Sequence, residues 1–430
     1  MEYQRLSCCA MSILVVALFL GESVAADSGK PVALRAWGDS AISVETYWNL
    51  SVVINPPAER AVGSNLEFQA ELAVMASPTR TSDTLKLFRK KPQVAYLRDE
   101  SGRPVSLDII IDRAPNSALP TVKPFAEAGK PSPNAIRVRT VWIEQTPLVC
   151  IDSDGITMIV CDATNPPVVL TPRHEEQIGP VDVLIVRLSE HNARPDAAVA
   201  LAKRLRPRLT VPIRQGEADS QGRDKANQSL ADALGLAQAT QKAKGNTLAI
   251  TSGRGLTREK PAIVVLGSKP WDMPKELQAL FERMDIALPL ATEIFAPLSA
   301  KQMNHRPADG THTARWNAEH IMGRELGFFT AIYSNLDPAI PHIDLNPAQM
   351  PPDYKAAHPD WNGAEEVRQI ERASALVHRF AYLLDGMEPM AKPKGSPWSI
   401  KQLCETMHGH FSEHLANVKK KFELPDWPKE

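Results

Sequence analysis

Three histidines and two carboxylates toward the C-terminus are the residues best placed by type and spacing to do chemistry. His410 and His414 lie in the stretch Trp398 to Val418, where Ile400, Leu403, Cys404, Met407, Phe411, Leu415 and Val418 recur at helical spacing and make one face apolar. Stepping about 100° per residue puts His410 and His414 on that arc, beside Met407 and Phe411, with His408 on its flank. Being four residues apart, their rings rise from one side of a helix and can converge inside a bundle. An imidazole in an apolar setting must still pair its ring nitrogens, and a metal ion accepts two rings at once. A core pair held by ordinary hydrogen bonds is the plainer alternative. Upstream, His320 and Glu325 share a second helical stretch. Glu325 or Glu413 could carry protons for a reaction at such a centre.

Four helical stretches must position these groups: Pro274 to Ala296, Ala314 to Asn335, Ala364 to Asp385 (ended by Gly386), and Pro397 or Trp398 to Phe422. Each runs about five to seven turns, enough for a four-helix bundle whose core can hold a metal. The connection Leu336 to Asn362 carries Pro338, Pro341, Pro347, Pro351, Pro352 and Pro359, which break any helix there. A loop of that length is usually functional, so it is expected to cover the mouth of a site.

The runs Leu298-Ser-Ala-Lys-Gln-Met-Asn-His-Arg-Pro307, Trp316-Asn-Ala-Glu-His320 through Glu325, Trp398-Ser-Ile-Lys401 and His410-Phe-Ser-Glu-His414 together resemble the DinB-like (DinB/YfiT) family of four-helix-bundle metalloproteins, over about 274–422. The resemblance implies a divalent metal, whether zinc, nickel or iron, held by His320, His410 and His414. Three imidazoles leave positions open for water or substrate. The sequence departs from the family in one respect. Trp316 and His320 are four apart rather than eight, and Arg324 occupies the next turn. On a helical wheel Ile321, Glu325, Phe328, Phe329 and Ile332 define the apolar face. His320 lies off its centre and Glu325 near it. His320 is therefore the first choice for third ligand, and Glu325 the fallback ligand or an orienting carboxylate. His378 reads as core or flank, and His305, His312, His342 and His358 as loop histidines.

The first half of the chain is rich in β patterns. Runs at 32–54, 104–112, 135–143, 148–162, 181–186, 208–213 and 247–251 read as strands; 195–205 and 226–244 read as helices. Asp154-Gly155 marks a hairpin turn between Cys150 and Cys161, which are either bridged or two free thiols. Strands in hairpins followed by alternating strands and helices make a mixed αβ layered domain. The order of Trp37-Gly-Asp-Ser40, Ile159-Val-Cys-Asp162, Val181-Asp-Val-Leu-Ile-Val186 and Thr210-Val-Pro-Ile-Arg214 weakly resembles the metallo-β-lactamase fold. That family carries a His-x-His-x-Asp-His run where this chain reads Ser77-Pro-Thr-Arg-Thr-Ser-Asp83. Arg214 replaces its closing histidine, and Asp162 resembles its bridging aspartate. The resemblance implies a degenerate fold of that type whose metal motif is lost.

The expected fold class is therefore multidomain α+β: a mixed αβ layered domain at 27–252, a linker at 253–273 and an all-α up-down four-helix bundle at 274–430. Arg5, the apolar run Met11 to Leu20 and the small residues Ser23-Val-Ala-Ala26 read as a signal peptide over 1–26, which makes the protein exported, periplasmic or extracellular. A net charge of −1, from 49 basic and 50 acidic residues, excludes a nucleic-acid binder dependent on basic excess. The expected partner is a small-molecule substrate, with no stable membrane span after cleavage; a homodimer is an allowed assembly. Three functions follow. One is a metal-dependent hydrolase or thiol-dependent transferase, the latter from the family resemblance. The second is a non-catalytic binding or assembly protein. The third is a serine esterase resembling the Gly-Asp-Ser-Leu type, with Ser40 as nucleophile and Asp309 and His312 at that family's closing spacing.

Overall fold

The computed structural model describes residues 29–37, 41–56, 68–78, 84–162, 169–188, 195–214, 220–252, 257–267, 270–350 and 352–429. The signal segment 1–26, Ser40 and most of the Ser77 to Asp83 run lie outside them.

Two sheets fill the first half. In the smaller, β1 (Val32–Trp37), β2 (Ala41–Glu45), β3 (Ser51–Ile54), β4 (Leu72–Met75) and β5 (Gln93–Tyr96) follow in order, and β14 (Thr247–Ile250) flanks β1. The larger contains β6 (Asp108–Asp112), β7 (Thr121–Pro124), β8 (Ile136–Ile143), β9 (Thr146–Ser153), β10 (Ile156–Asp162), β11 (Val183–Leu188), β12 (Leu209–Arg214), β13 (Thr240–Lys242) and β15 (Ala262–Val265), in the order β13-β15-β12-β11-β10-β9-β8-β6-β7. β10, β11, β12, β15 and β13 run parallel. β11 and most of β10 are buried on both faces, which is why they read as unbroken apolar runs rather than alternating ones.

Local chemistry explains the hairpin at β9–β10. Asp154 and Gly155 both take positive φ, 49° and 73°, the two-residue turn whose twist matches the strands. Its register pairs Cys150 with Ile159 and Cys161 with Leu148, so the cysteines occupy different rungs. Both are buried free thiols, and burial pushes each up to about 12.

Leu34, Val52 and Val74 of the small sheet pack against Ile151, Val160 and Val211 of the large one. The outer face of the large sheet carries α1 (Pro172–Ile178), α2 (Asp196–Leu205) and α3 (Ser220–Leu234), with Leu201 and Leu230 against Leu184. Two expectations change here. The helix read at 226–244 ends at Leu234, where Gly235 adopts φ 69°, and Thr240–Lys242 forms an edge strand. Part of the expected linker is β15, paired with β12 at Leu209↔Ala262.

The second half is helical: α4 (Lys275–Met284), α5 (Leu288–Phe295), α6 (Ala314–Leu336), α7 (Gly363–Arg379) and α8 (Ile400–Lys421), with a four-residue helical turn at Ala300–Met303. The first expected helix is broken by a 3₁₀ turn at Asp285–Ala287 and restarts with Pro289 in its first turn, where a missing N–H costs nothing. The third stops at Arg379 and passes into a 3₁₀ turn at Ala381–Leu384. Thr313, Asn362 and Ser399 cap α6, α7 and α8 by accepting from a backbone N–H in the first turn. Phe281, Phe295, Leu326, Phe329, Ile370, Phe380, Leu403 and Leu415 form the core. Gly363 is required at the start of α7, because a Cβ there would lie 1.7 Å from the Phe295 carbonyl oxygen.

The bundle core also takes in Ala33, Tyr47 and Ala249 from the small sheet. The layers thus run helices, large sheet, small sheet, bundle. Among the described residues no helix is long and apolar enough to cross a membrane.

Candidate metal centre

α6 and α8 bring His320, His410 and His414 together, with one donor nitrogen from each within 4.8 Å of the others. His320 Nε2 is 3.0 Å from His410 Nε2, which is 3.2 Å from His414 Nε2. His320 is buried, correcting the helical-wheel placement off the apolar centre. α6 is covered on more than one side, so its inward arc is wider than its aliphatic residues alone suggest. Trp316 stacks on the His320 ring at 4.4 Å and 14°, and His312 stacks on Trp316 at 3.7 Å and 11°. His312 is therefore a wall of the site rather than a solvated loop residue.

Polar neighbours set which nitrogen each ring presents. Asn317 Nδ2 donates to the Thr313 carbonyl at 2.7 Å, which turns its Oδ1 toward His414 Nδ1, also at 2.7 Å. His414 must then carry its proton on Nδ1 and show a bare lone pair at Nε2. The Asn346 side chain lies beside His320, with His320 Nδ1 and Asn346 Oδ1 both buried and without a hydrogen-bond partner. Gly323 makes this approach feasible: a Cβ there would lie 2.5 Å from the Asn346 Cα. The proline-rich loop is further tied to α6 by Trp316 Nε1 donating to the Gln349 carbonyl at 3.1 Å and Tyr354 donating to Glu319 at 2.7 Å.

Burial disfavours the charged form of all three rings. His320 is pushed down to about 2 by burial, then by His410, His414 and Arg324; His414 falls to about 3 by burial and by His410, His312 and Arg324; His410 falls to about 4 by burial and Arg324. At neutral pH the centre is three uncharged imidazoles. At 3.0 and 3.2 Å, one N–H on His410 Nε2 could reach the other two nitrogens only through a split three-centre bond, and cannot engage all three Nε2 lone pairs. A cation can. Nitrogens bound tetrahedrally to zinc at the usual bond length stand about 3.3 Å apart, so the residues fit the group.

The other candidates lie elsewhere. Glu325 is buried, with Oε1 unpartnered, and faces Asp285, Cys404 and Tyr333 rather than the histidines; burial, then Asp285, pushes it up to about 8. It is neither a ligand of this group nor an orienter of it. His378 bonds Asp285 at 2.6 Å, and His305 lies 3.3 Å from Asp426. Glu413 is exposed. Asp309 accepts from the Thr311 N–H and hydroxyl, at 2.9 and 2.7 Å, while His312 is committed to the Trp316 stack, so the pair needed by a serine esterase is not assembled. Asp162 forms an ion pair with Arg187 at 3.7 Å. Sequence reasoning missed Asn317 and Asn346. Asn317 had a signal, lying three residues before His320 on the same helix face; Asn346 had none, because only the folded loop brings it near.

Residues 283–418 match the DinB superfamily. That region contains the whole histidine group, Asn317, Asn346 and Arg324. Solved structures similar to the first half include a putative zinc-dependent hydrolase of the metallo-β-lactamase superfamily from Thermotoga maritima, at 16% identity, TM-score 0.34, 55% of this chain and 99% of that one. Another is the metallo-β-lactamase fold protein YhfI from Bacillus subtilis, at 7% identity, TM-score 0.29, 56% of this chain and 98% of that one. TM-scores at this level say nothing of activity. No curated protein matches the chain.

Proposed function

We propose that the DinB-superfamily region holds one divalent metal on His320, His410 and His414, and that the protein is a metal-dependent hydrolase or thiol-dependent transferase acting on a small molecule. The observation that carries the reading is the meeting of three Nε2 atoms from two helices, where one N–H would have to be split between two acceptors while a cation can engage all three lone pairs. When bound, such a metal supplies a Lewis acid and an acidified water or thiol. Asn317 holds the His414 proton on Nδ1. Asn346, seated against Gly323, faces His320. Trp316 and His312 screen one side of the centre from water. The first half serves as a scaffold: Asp162 is spent on Arg187, and no histidine stands in the Ser77 to Asp83 run. Export rests on the N-terminal pattern and would leave a mature chain beginning near Asp27.

Purified protein should carry about one equivalent of zinc, nickel or iron by mass spectrometry, as a three-histidine site requires. His410→Ala with His414→Ala should lose it without unfolding the bundle. Full metal occupancy in that double variant would end the proposal.

A further inference from the structure

The charges around the histidines are unbalanced. Arg324 lies one helical turn beyond His320 on the same side of α6, half-buried, and its charge bears on all three rings. Asp344 is the carboxylate that acts on it, yet the two do not close an ion pair, and Asp344 Oδ1 accepts from the Asn346 N–H at 3.0 Å. A second cation, Lys421, lies two turns beyond His414 on α8; it donates to the Thr311 hydroxyl at 2.9 Å and is balanced by the Asp309 carboxylate, which acts on it. Its charge reaches His312 in the aromatic stack. No carboxylate stands among the three donors. Glu325 faces away, and Glu319 is engaged by Tyr354. The surroundings of the histidines therefore combine neutral ligands, an Arg324 without a closed ion pair and, with an ion in place, a double positive charge.

We propose that this centre takes an anionic small molecule, with one carboxylate or phosphate oxyanion seated between the histidine-held ion and the Arg324 guanidinium. The inference rests on the metal reading and narrows its substrate class. A guanidinium beside a dication is repelled by it until an anion sits between them. Arg324 offers planar donors suited to an oxyanion, and no carboxylate pairs with them. The arrangement favours an oxyanion-bearing substrate over a neutral ester or amide.

Cobalt(II)-loaded protein tests this through its visible absorption, titrated at constant ionic strength with sodium acetate in one arm and inorganic phosphate in the other. At least one anion should perturb the spectrum saturably, and the stronger arm identifies the oxyanion. Arg324→Gln should weaken that binding by about tenfold or more, with cobalt content unchanged, and Arg324→Lys should restore part of it. Full cobalt with no response to either anion, or an unchanged titration in Arg324→Gln, overturns the inference and leaves the metal centre standing. Failure of the wild type to retain cobalt instead removes the metal reading, and the anion site with it.

Discussion

At the residue scale, the asymmetry between the two ligand helices is informative. His410 and His414 come from one helix and are related by its own geometry, whereas His320 reaches them from another. What makes three rings usable is the control of their tautomers. Asn317 is held at both ends, by the Thr313 carbonyl and by His414. Replacing it with Leu removes the acceptor and leaves His414 free to move its proton to Nε2, the nitrogen that faces the centre. Asn317→Leu should lower metal affinity by about 10- to 100-fold, in line with lost outer ligand contacts, while Asn317→Asp keeps an acceptor and most of the affinity. Chelator competition measures the loss. Nitrogen NMR of the metal-free protein should show the His414 tautomer change in Asn317→Leu; an unchanged tautomer would assign the asparagine a purely structural role.

At the scale of elements, the proline-rich connection is held as a cover on α6 rather than as a free loop. Trp316, Glu319, Thr330 and Arg315 all bond to it from α6, and the two backbones come close at Gly323. A methyl there would stand 2.5 Å from the Asn346 Cα and nitrogen, both backbone atoms that cannot rotate away. Gly323→Ala should therefore push the loop off the helix. The strain should cost about 1–3 kcal/mol, read as a lower urea midpoint. Because Asn346 moves with the loop, metal should also bind more weakly. A variant as stable as wild type with unchanged metal affinity would show that the loop does not support the site. Breaking the first expected helix at Asp285 has a separate result: it turns half-buried Asp285 toward His378 and the buried Glu325, making a polar cluster distinct from the metal group.

At the scale of the whole molecule, the bundle takes the place of a helical layer on the small sheet. Its main polar attachment is Arg379, 5% exposed, which donates to the Thr46 carbonyl at 2.9 Å and to Asn49 at 2.7 Å and pairs with Glu45. Glu45 keeps Arg35 as a second partner at 2.9 Å. Arg379→Met should still leave the Thr46 carbonyl buried without its donor and cost about 3 kcal/mol. Calorimetry should then resolve the bundle from the sheets as separate transitions. A single transition with unchanged midpoint would mean that the remaining contacts, the apolar seam at Ala33, Tyr47 and Ala249 and the Asn116 bonds to α7 and its approach, suffice to join them.

Much of this organisation was legible in the sequence, because periodicity along one segment reports which face of that segment is apolar. The α8 stripe placed His410 and His414 on one side, and Asp154-Gly155 marked a hairpin. The strand order of side chains and the division into a β-rich and a helical half followed from the same local patterns. What periodicity does not report is which element lies opposite. His320 seemed off-centre because its wheel was drawn from aliphatic residues, while the fold buries α6 on several sides. Glu325 seemed central and lies in a different cluster. The bonded register kept Cys150 and Cys161 apart, and only the folded loop brought Asn346 to His320. Local spacing determined the donors that one helix could present; the packing of separate helices, where burial and unpaired nitrogens must be balanced together, decided which of them meet.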